Sequence, residues 1–213
     1  MKFPNAEKGI GKIFIAEILA LIGTICVAAA AIFATLAIGT TSGTMLILAG
    51  AFAIIMVIVM LISYIINIVG IAQASKDEDG FKTALYLTIF GIISTVVTGI
   101  LSGVFPDSNF VSGIKDILPD IINLFIMICI VLGIRSMAAQ LNDSAMERKG
   151  DNIIKVLFSV EVIILVARVI ALIIRNNIGA TIAVIVLCIA GVLNIVLYVL
   201  YLAYLSKAKK MLK

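Results

Sequence analysis

Six long apolar runs, separated by short polar segments, leave this chain few choices of fold. The runs cover residues 13–38, 45–74, 83–105, 120–139, 153–174 and 178–205. A membrane-spanning helix needs about 20 predominantly apolar residues, so each run is long enough to cross a bilayer once. The runs are apolar all round and lack the alternation of a membrane strand. The pattern therefore predicts an all-α integral membrane protein with six transmembrane helices.

The composition excludes an ordinary soluble domain. Apolar residues make up 63% of the 213 residues and charged residues only 13%. A soluble domain is about 45–50% apolar and roughly 25% charged. No segment between the runs has room for a soluble domain, so we expect a single membrane domain over residues 1–213.

The basic residues predict which side of the membrane each loop faces. With the N-terminus inside, Lys115 and Arg175 lie outside and Arg168 lies within a span. Of the 16 Lys and Arg residues, 13 then remain on the inner side. Cytoplasmic loops carry an excess of Lys and Arg, so both termini are predicted to be cytoplasmic, in the cell membrane. The net charge of +4 needs no nucleic-acid partner under this topology.

A recurring pattern before the first, third and fifth runs suggests internal repeats. Two charged residues meet a glycine at Gly9, Gly80 and Gly150, and a lysine follows shortly after each. The spacing of about 70 residues predicts three parallel two-helix hairpins, in units 1–75, 76–145 and 146–213, related by an axis along the membrane normal. Coincidence is the alternative, because any two-span unit needs a charged loop.

The same glycines suggest where helices end at the cytoplasmic side. Glycine readily adopts the left-handed conformation that terminates a helix, so we expect each one to end the incoming helix. The connection 136–150 has no proline and is rich in helix-forming residues. It predicts an extension of the fourth helix that ends at Gly150.

The residue types that are missing argue against an enzyme. The chain has no His, which excludes HExxH zinc proteases, Ser–His hydrolases and His-ligated haem. The three cysteines lie deep in apolar runs without a CxxC motif, as expected for buried structural residues. The Asp residues lie in loops or at the predicted span ends. We expect no catalytic activity, no metal and no cofactor.

Ionisable residues inside the apolar runs are the first candidates for function, because a charge is costly within a membrane. These residues are Glu17, Arg135, Glu161 and Arg168. We expect Glu17, Glu161 and Arg135 to converge in the cytoplasmic half, with Arg168 above them. Three interpretations remain open: a polar gate or ion-coupling site, a charge-neutral cluster that fixes helix order, and snorkelling to the interface.

The third run carries a face of small and hydroxyl-bearing residues. Its members recur at spacings of three and four: Gly91, Ser94, Thr95, Thr98, Gly99, Ser102 and Gly103. Such faces let helix backbones approach closely, and their hydroxyls can bond across helices. We predict that this face is buried against another helix. A hydroxyl-lined permeation path is the alternative.

The C-terminal segment is basic and follows the last span directly. Its lysines are Lys207, Lys209, Lys210 and Lys213. A basic segment next to a span attracts the anionic headgroups of the cytoplasmic leaflet, so we expect lipid contacts here. Tyr198, which precedes the segment, is expected to be an interfacial anchor.

These features together predict a multi-pass membrane protein that is transporter-like or channel-like, for a small or apolar solute. The alternative is a non-transporting accessory or scaffold subunit that binds lipids or partner helices, either in a homo-oligomer or beside another membrane subunit. The two hypotheses differ in the surroundings of the intramembrane charges. A transporter needs them in a water-reachable cavity, whereas a scaffold needs them packed and paired.

Overall fold

The computed structural model describes residues 2–40, 43–105, 109–173 and 177–212. Within these ranges the chain is helical and contains no strand, which confirms the all-α prediction with six helices. The helices are α1 (Pro4–Thr40), α2 (Gly43–Ala74), α3 (Asp79–Val104), α4 (Asn109–Gln140), α5 (Ser144–Ile173) and α6 (Asn177–Met211).

Four of these helices are long and apolar enough to cross a membrane. The qualifying segments are Pro4–Gly39, Gly43–Ala74, Asp79–Val104 and Gly113–Gln140. The described residues of α5 and α6 do not yield a further segment of this kind. Charged residues run through the first half of α5, and the side chains of residues 167–192 lie outside the described set. The structure thus supports a multi-pass membrane protein with at least four candidate spans.

The helices form a ring in chain order. Each helix packs against the next, and α6 returns to pack against α1. The contact between α1 and α2 is the most extensive, and α3 with α4 comes next. This arrangement is compatible with three hairpins around an axis, although the internal repeat itself stays a prediction.

The two ends of the chain, the connection between α2 and α3, and the connection between α4 and α5 lie at one end of the ring. The Asp77 carboxylate, between α2 and α3, accepts hydrogen bonds from the backbone N–H groups of Asn5 and Ala6 at 2.7 and 2.8 Å. These bonds satisfy backbone N–H groups in the first turn of α1, which have no acceptor within the helix. A negative charge is favourable at this position. The side chain of Lys209, near the end of α6, lies 3.6 Å from the Cβ position of Gly11. We call this end of the ring the terminal end.

Most of the buried apolar side chains form one cluster near the terminal end, which we call the terminal core. It draws mainly on residues 3–13, 71–84, 130–146 and 197–212. Large side chains with almost no exposure are Phe81, Ile134, Met137, Leu157, Tyr201 and Leu205. In the opposite half of the ring many apolar side chains point outward, as expected where lipid tails are the solvent.

Close helix crossings, rather than helix ends, explain the repeated glycines. A Cβ atom on Gly9 would lie 2.5 Å from the Gly70 carbonyl oxygen, and one on Gly80 would lie 2.7 Å from the Gly133 Cα. Gly150 lies against the Tyr204 hydroxyl. All three repeated glycines are inside helices, and no described glycine has a positive φ. The prediction that they end the incoming helices was wrong: Gly9 and Gly80 let two backbones touch, and Gly150 makes room for the Tyr204 side chain.

The break between α4 and α5 lies before Gly150. Helix α4 ends at Gln140, and Asn142 takes the left-handed conformation with a φ of 58°. Asparagine tolerates this conformation better than most residues. The Asp143 carboxylate then accepts the Met146 N–H at 3.0 Å and caps α5. The predicted extension of α4 to Gly150 is therefore wrong, because an Asn–Asp turn ends one helix and caps the next.

At its other end, α4 is longer than its apolar run. It begins at Asn109 and continues through Pro119, so much of the expected outer loop is helical. A proline inside a helix removes its own N–H from the helix ladder and crowds the carbonyl group four residues earlier, and neighbouring helices can support the interruption. Asp120 consequently lies inside a helix and not at a span end, which corrects the sequence-based placement.

Candidate functional site

A cavity of about 240 Å³ lies between α1, α4, α5 and α6, directly beyond the terminal core. Its lining residues are Glu17, Asp120, Asn123, Met127, Glu161, Ile164, Leu197 and Tyr198. Ile164 and Leu197 also belong to the terminal core, so the packed cluster forms one wall of the cavity. The cavity is large enough for several waters or one small solute. We call it the Glu17 cavity.

Glu17 is held by side chains from two other helices. Tyr198 of α6 donates its hydroxyl to Glu17 Oε2 at 2.7 Å, and the same hydroxyl lies 2.6 Å from the Glu17 main-chain oxygen. Asn67 of α2 donates its amide to Glu17 Oε1 at 3.3 Å. Hydrogen bonds to a charged group are stronger than neutral ones, so these contacts can hold a carboxylate in a fixed position.

A buried hydrogen bond fixes the level at which α1 and α2 meet near the cavity. The Ser63 hydroxyl donates to the Ala16 carbonyl oxygen at 2.7 Å. Ser63 is 6% exposed and Ala16 is fully buried. Because Ala16 directly precedes Glu17, this bond and the Asn67 contact together set the height and rotation of the glutamate.

Two further carboxyl groups reach the cavity from α4 and α5. Asp120 and Glu161 line its walls, and both take part in further polar interactions. Glu161 lies 11 residues after Gly150, whereas Glu17 lies 8 residues after Gly9. The two glutamates thus differ by about one helical turn, roughly 4.5 Å of rise, when the glycines are aligned. They share one cavity without occupying equivalent repeat positions.

The structure brings together only part of the predicted charge cluster. Glu17 and Glu161 line the same cavity, as expected, but Arg135 does not approach it. Arg135 lies near the terminal end, with its Nε 2.9 Å from Asp151 Oδ1 and its terminal nitrogen 3.8 Å from Glu147 Oε1. The shorter contact is an ion pair by distance, although the Nε–H group is not aligned as a hydrogen-bond donor.

The misplacement of Arg135 has a simple cause. Arg135 is near the C-terminal end of α4, so it lies at the level of the first turns of α5. The limits of the apolar run place Arg135 deeper in the membrane than the observed ends of the helices do. The side chain of Arg168, the fourth predicted residue, lies outside the described residues.

The sequence predicts Asn67 as a residue that bonds between helices, which its contact with Glu17 confirms, but the role of Tyr198 in the cavity was missed. Tyr198 was assigned to the membrane interface, yet it contacts Glu17 inside the ring. A signal was present: Tyr198, Tyr201 and Tyr204 are three residues apart and therefore share one helix face. Tyr201 is 0% and Tyr204 is 2% exposed, so that face points into the protein.

The small-residue face of α3 does not line the Glu17 cavity. A Cβ atom on Gly91 would lie 3.2 Å from Ile122 of α4, and Thr98 is buried. Within the described part of the chain, no atom of a neighbouring helix lies within 4 Å of the Cβ positions of Gly99 and Gly103. Close packing is therefore found at Gly91 and not at the other two glycines.

The hydroxyls on that face are satisfied within α3. Ser94 and Thr95 both donate to the Gly91 carbonyl oxygen. Thr98 donates to the Ser94 oxygen, and Ser102 donates to the Gly99 oxygen. The expected hydrogen bonding across helices is thus replaced by bonds one turn back along the same helix, which serine and threonine commonly make.

The C-terminal lysines are dispersed over the terminal end. Lys207 lines a groove between α5 and α6, Lys209 lies against Gly11 of α1, and Lys210 is exposed. Lys213 lies outside the described residues. Lipid binding by these residues stays a prediction.

Comparison with protein-family models, curated proteins and solved structures finds no match to this chain. The chemistry and geometry of the Glu17 cavity are therefore the basis for the function proposed below for this chain.

Proposed function

We propose that this chain is a transporter-like, multi-pass protein of the cell membrane that binds a small cationic solute in the Glu17 cavity. The observation that carries the proposal is the meeting of Glu17, Asp120 and Glu161, from three helices, around one cavity. Carboxylates at membrane depth are costly, and a bound cation offsets that cost. The proposed role is binding and translocation, without a catalytic step.

Of the small or apolar solute that the sequence predicts, the polar lining of the cavity favours a small polar one. Besides the carboxyl groups, the Asn123 amide and the Tyr198 hydroxyl offer oxygen atoms to the cavity. Oxygen ligands suit hard cations and ammonium groups. The volume of about 240 Å³ lies below the roughly 300–1,000 Å³ of pockets for drug-sized ligands, which limits the solute to a small one.

The spacing of the carboxyl groups favours a cation larger than a bare metal ion. Among the described residues, no three acidic or cysteine side chains are close enough to hold one metal ion. A hydrated monovalent ion or a small organic ammonium compound can contact these carboxyl groups without drawing them together. We take methylammonium and hydrated Na⁺ as the simplest representatives of the two types.

The proposed topology has six spans with both termini in the cytoplasm. It extends the four candidate spans to α5 and α6, and it follows from the excess of Lys and Arg on the terminal side. The terminal core packs across the cytoplasmic side of the Glu17 cavity in this arrangement. A solute would then enter from the opposite half, where the helices are less tightly packed.

Solute binding by the purified protein tests this proposal. We would titrate methylammonium chloride and NaCl, against the bulky N-methyl-D-glucamine chloride as the ionic-strength control, and follow binding by calorimetry. We expect saturable binding of at least one of the two cations. Glu17→Gln should weaken it by about tenfold or more, because a hydrogen bond to a charged group contributes about 1.5–3 kcal/mol.

Glu7→Gln is the matched control, since Glu7 lies on the same helix and does not line the cavity. It should leave the affinity unchanged. The proposal is wrong if neither cation binds, or if both variants bind as the wild type does.

One observation favours the accessory or scaffold role as a second candidate. Gly99 and Gly103 on α3 are exposed, with open space beside them. A small-residue surface of this kind suits a close-packed helix from a second copy or from a partner subunit. Under this role, Gly99→Leu should abolish self-association in chemical crosslinking and leave the stability of the single chain unchanged.

A further inference from the structure

A groove of about 250 Å³ on the outside of the ring runs between α5 and α6 at the terminal end. Its lining residues are Lys149, Asn152, Ile153 and Val156 of α5, and Leu200, Ala203, Tyr204 and Lys207 of α6. Val156 is 39% and Leu200 is 44% exposed, so the groove opens outward and not into the ring. It is separate from the Glu17 cavity.

Polarity changes in a regular way along this groove. Helices α5 and α6 are antiparallel, so Lys149 and Lys207 both lie at the terminal end of the groove. Seven residues further into the ring on each helix are Val156 and Leu200. Seven residues correspond to roughly 10 Å along a helix axis. The groove thus begins with two ammonium groups and becomes apolar within two turns.

Neither Lys149 nor Lys207 forms an ion pair with a carboxyl group of the described part of the chain. No carboxyl group lines the groove. Of the acidic residues near this part of α5, Glu147 and Asp151 both form ion pairs with Arg135 of α4.

A second hollow extends the polar head of the groove. It has a volume of about 310 Å³ and shares Lys149 and Asn152 with the first. Arg148 contributes a third cationic group, and Ser144 a hydroxyl. The combined surface offers several donors around a space that is large enough for a phosphate-bearing headgroup.

We propose that this groove is a binding site for one anionic phospholipid. Lys149 and Lys207 hold the phosphate, Asn152 donates to the phosphate or glycerol oxygens, and an acyl chain lies along Val156 and Leu200. A basic pocket between helices at the cytoplasmic surface is the usual form of an anionic-lipid site. The site requires α5 and α6 to lie in the membrane, and it does not depend on solute binding at Glu17.

The test is lipid binding to the full-length protein in detergent, measured by native mass spectrometry. The probes are phosphatidylglycerol and phosphatidylcholine with identical acyl chains, and glycerol 3-phosphate as the headgroup without chains. We expect one phosphatidylglycerol to bind in preference to phosphatidylcholine. Comparable binding of phosphatidylcholine, or equally tight binding of glycerol 3-phosphate, would overturn the proposal.

Variants with equal charge separate this groove from general surface attraction. Lys149→Gln with Lys207→Gln should weaken phosphatidylglycerol binding by about 25-fold, on the basis of about fivefold for each basic residue. Lys8→Gln with Lys76→Gln removes the same charge from exposed lysines outside the groove and should have little effect. Equal losses in the two double variants would show that only net charge matters.

A third variant tests the shape of the groove without altering charge. Ala203 is exposed on the groove floor, so Ala203→Trp should fill the groove and leave the fold intact. We expect phosphatidylglycerol binding to fall as far as in the lysine double variant, with an unchanged melting temperature. Full retention of binding would show that the lipid does not occupy the groove.

Discussion

The two halves of the ring use glycine in opposite ways. At the terminal end, a Cβ atom on Gly9, Gly80 or Gly133 would lie within 3 Å of an atom in the neighbouring helix. In the opposite half, Gly99 and Gly103 have no described neighbour within 4 Å. Lipid tails are as apolar as leucine, so helices in a membrane gain little from apolar burial alone. Close backbone contact is what distinguishes the packed half from the open one.

The Glu17 cavity lies at the boundary between these halves. Its wall includes Ile164 and Leu197 of the terminal core, while Asn123 on the same cavity is exposed. A rigid base below a less tightly packed region can position Glu17 and still leave a route for a solute. Matched substitutions in the two halves can measure how strongly their packing differs.

The largest expected difference is between two phenylalanines of α3, one buried and one exposed. Phe81 is fully buried and its ring packs on Gly133, whereas Phe90 is 55% exposed. Phe81→Ala should lower the free energy of unfolding by about 3–5 kcal/mol, as for other buried aromatic residues. Phe90→Ala should change it by about 0.5 kcal/mol or less. Denaturation in mixed micelles measures both, and similar losses would mean that the halves are packed alike.

Alanine at the two classes of glycine should act with opposite sign. At Gly80 the new methyl group meets the Gly133 backbone, and such overpacking costs about 1–3 kcal/mol. At Gly99 there is open space, so Gly99→Ala should stabilise the helix by up to about 1 kcal/mol. Melting temperatures in detergent would show the difference. A loss at Gly99 as large as at Gly80 would argue that the open half is closed by another helix.

The smallest expected difference is between losing a hydrogen bond that joins two helices and losing one within a single helix. Ser63 donates across to Ala16, whereas Ser102 donates to Gly99 in its own helix. Ser63→Ala should cost about 0.6 kcal/mol, the average for hydrogen bonds between membrane helices, and at most about 1.7 kcal/mol. Ser102→Ala should be close to neutral. Equal costs in the same unfolding assay would contradict the packing of α1 on α2 at this level.

The sequence predicted the number and type of the helices because apolar length is a local property. The predicted limits of the second run, 45–74, nearly match α2 (Gly43–Ala74). The start of α4 was not predicted because its first turns are polar and contain Pro119. Such a segment resembles a loop when no neighbouring helix is known. Gly9, Gly80 and Gly150 were singled out correctly, but their role depends on partners that are far away in the chain.

The candidate site was predictable only in part, for a related reason. The cost of a charge in the membrane singled out Glu17 and Glu161, and both line the cavity. The contributions of Asn67 and Tyr198 depend on how α2 and α6 are rotated against α1. Rotation is set by side-chain packing between helices, which the apolar runs do not encode because they are apolar on every side.

The water accessibility of single cysteines in liposomes shows most directly whether a water-reachable cavity surrounds Glu17. The native cysteines would first be replaced by alanine. Asn123→Cys places a thiol in the Glu17 cavity, Ile134→Cys places one in the terminal core, and Phe90→Cys places one on the outer surface.

A charged methanethiosulfonate reagent reacts only where water reaches the thiol. We predict modification of the cysteine at 123, slowed by a cation that binds at Glu17, and no modification at 134 or 90. If the reagent does not modify the cysteine at 123 even without a cation, or if it reacts equally at 123 and 134, no water-reachable cavity exists at Glu17. Either result would contradict the proposed function.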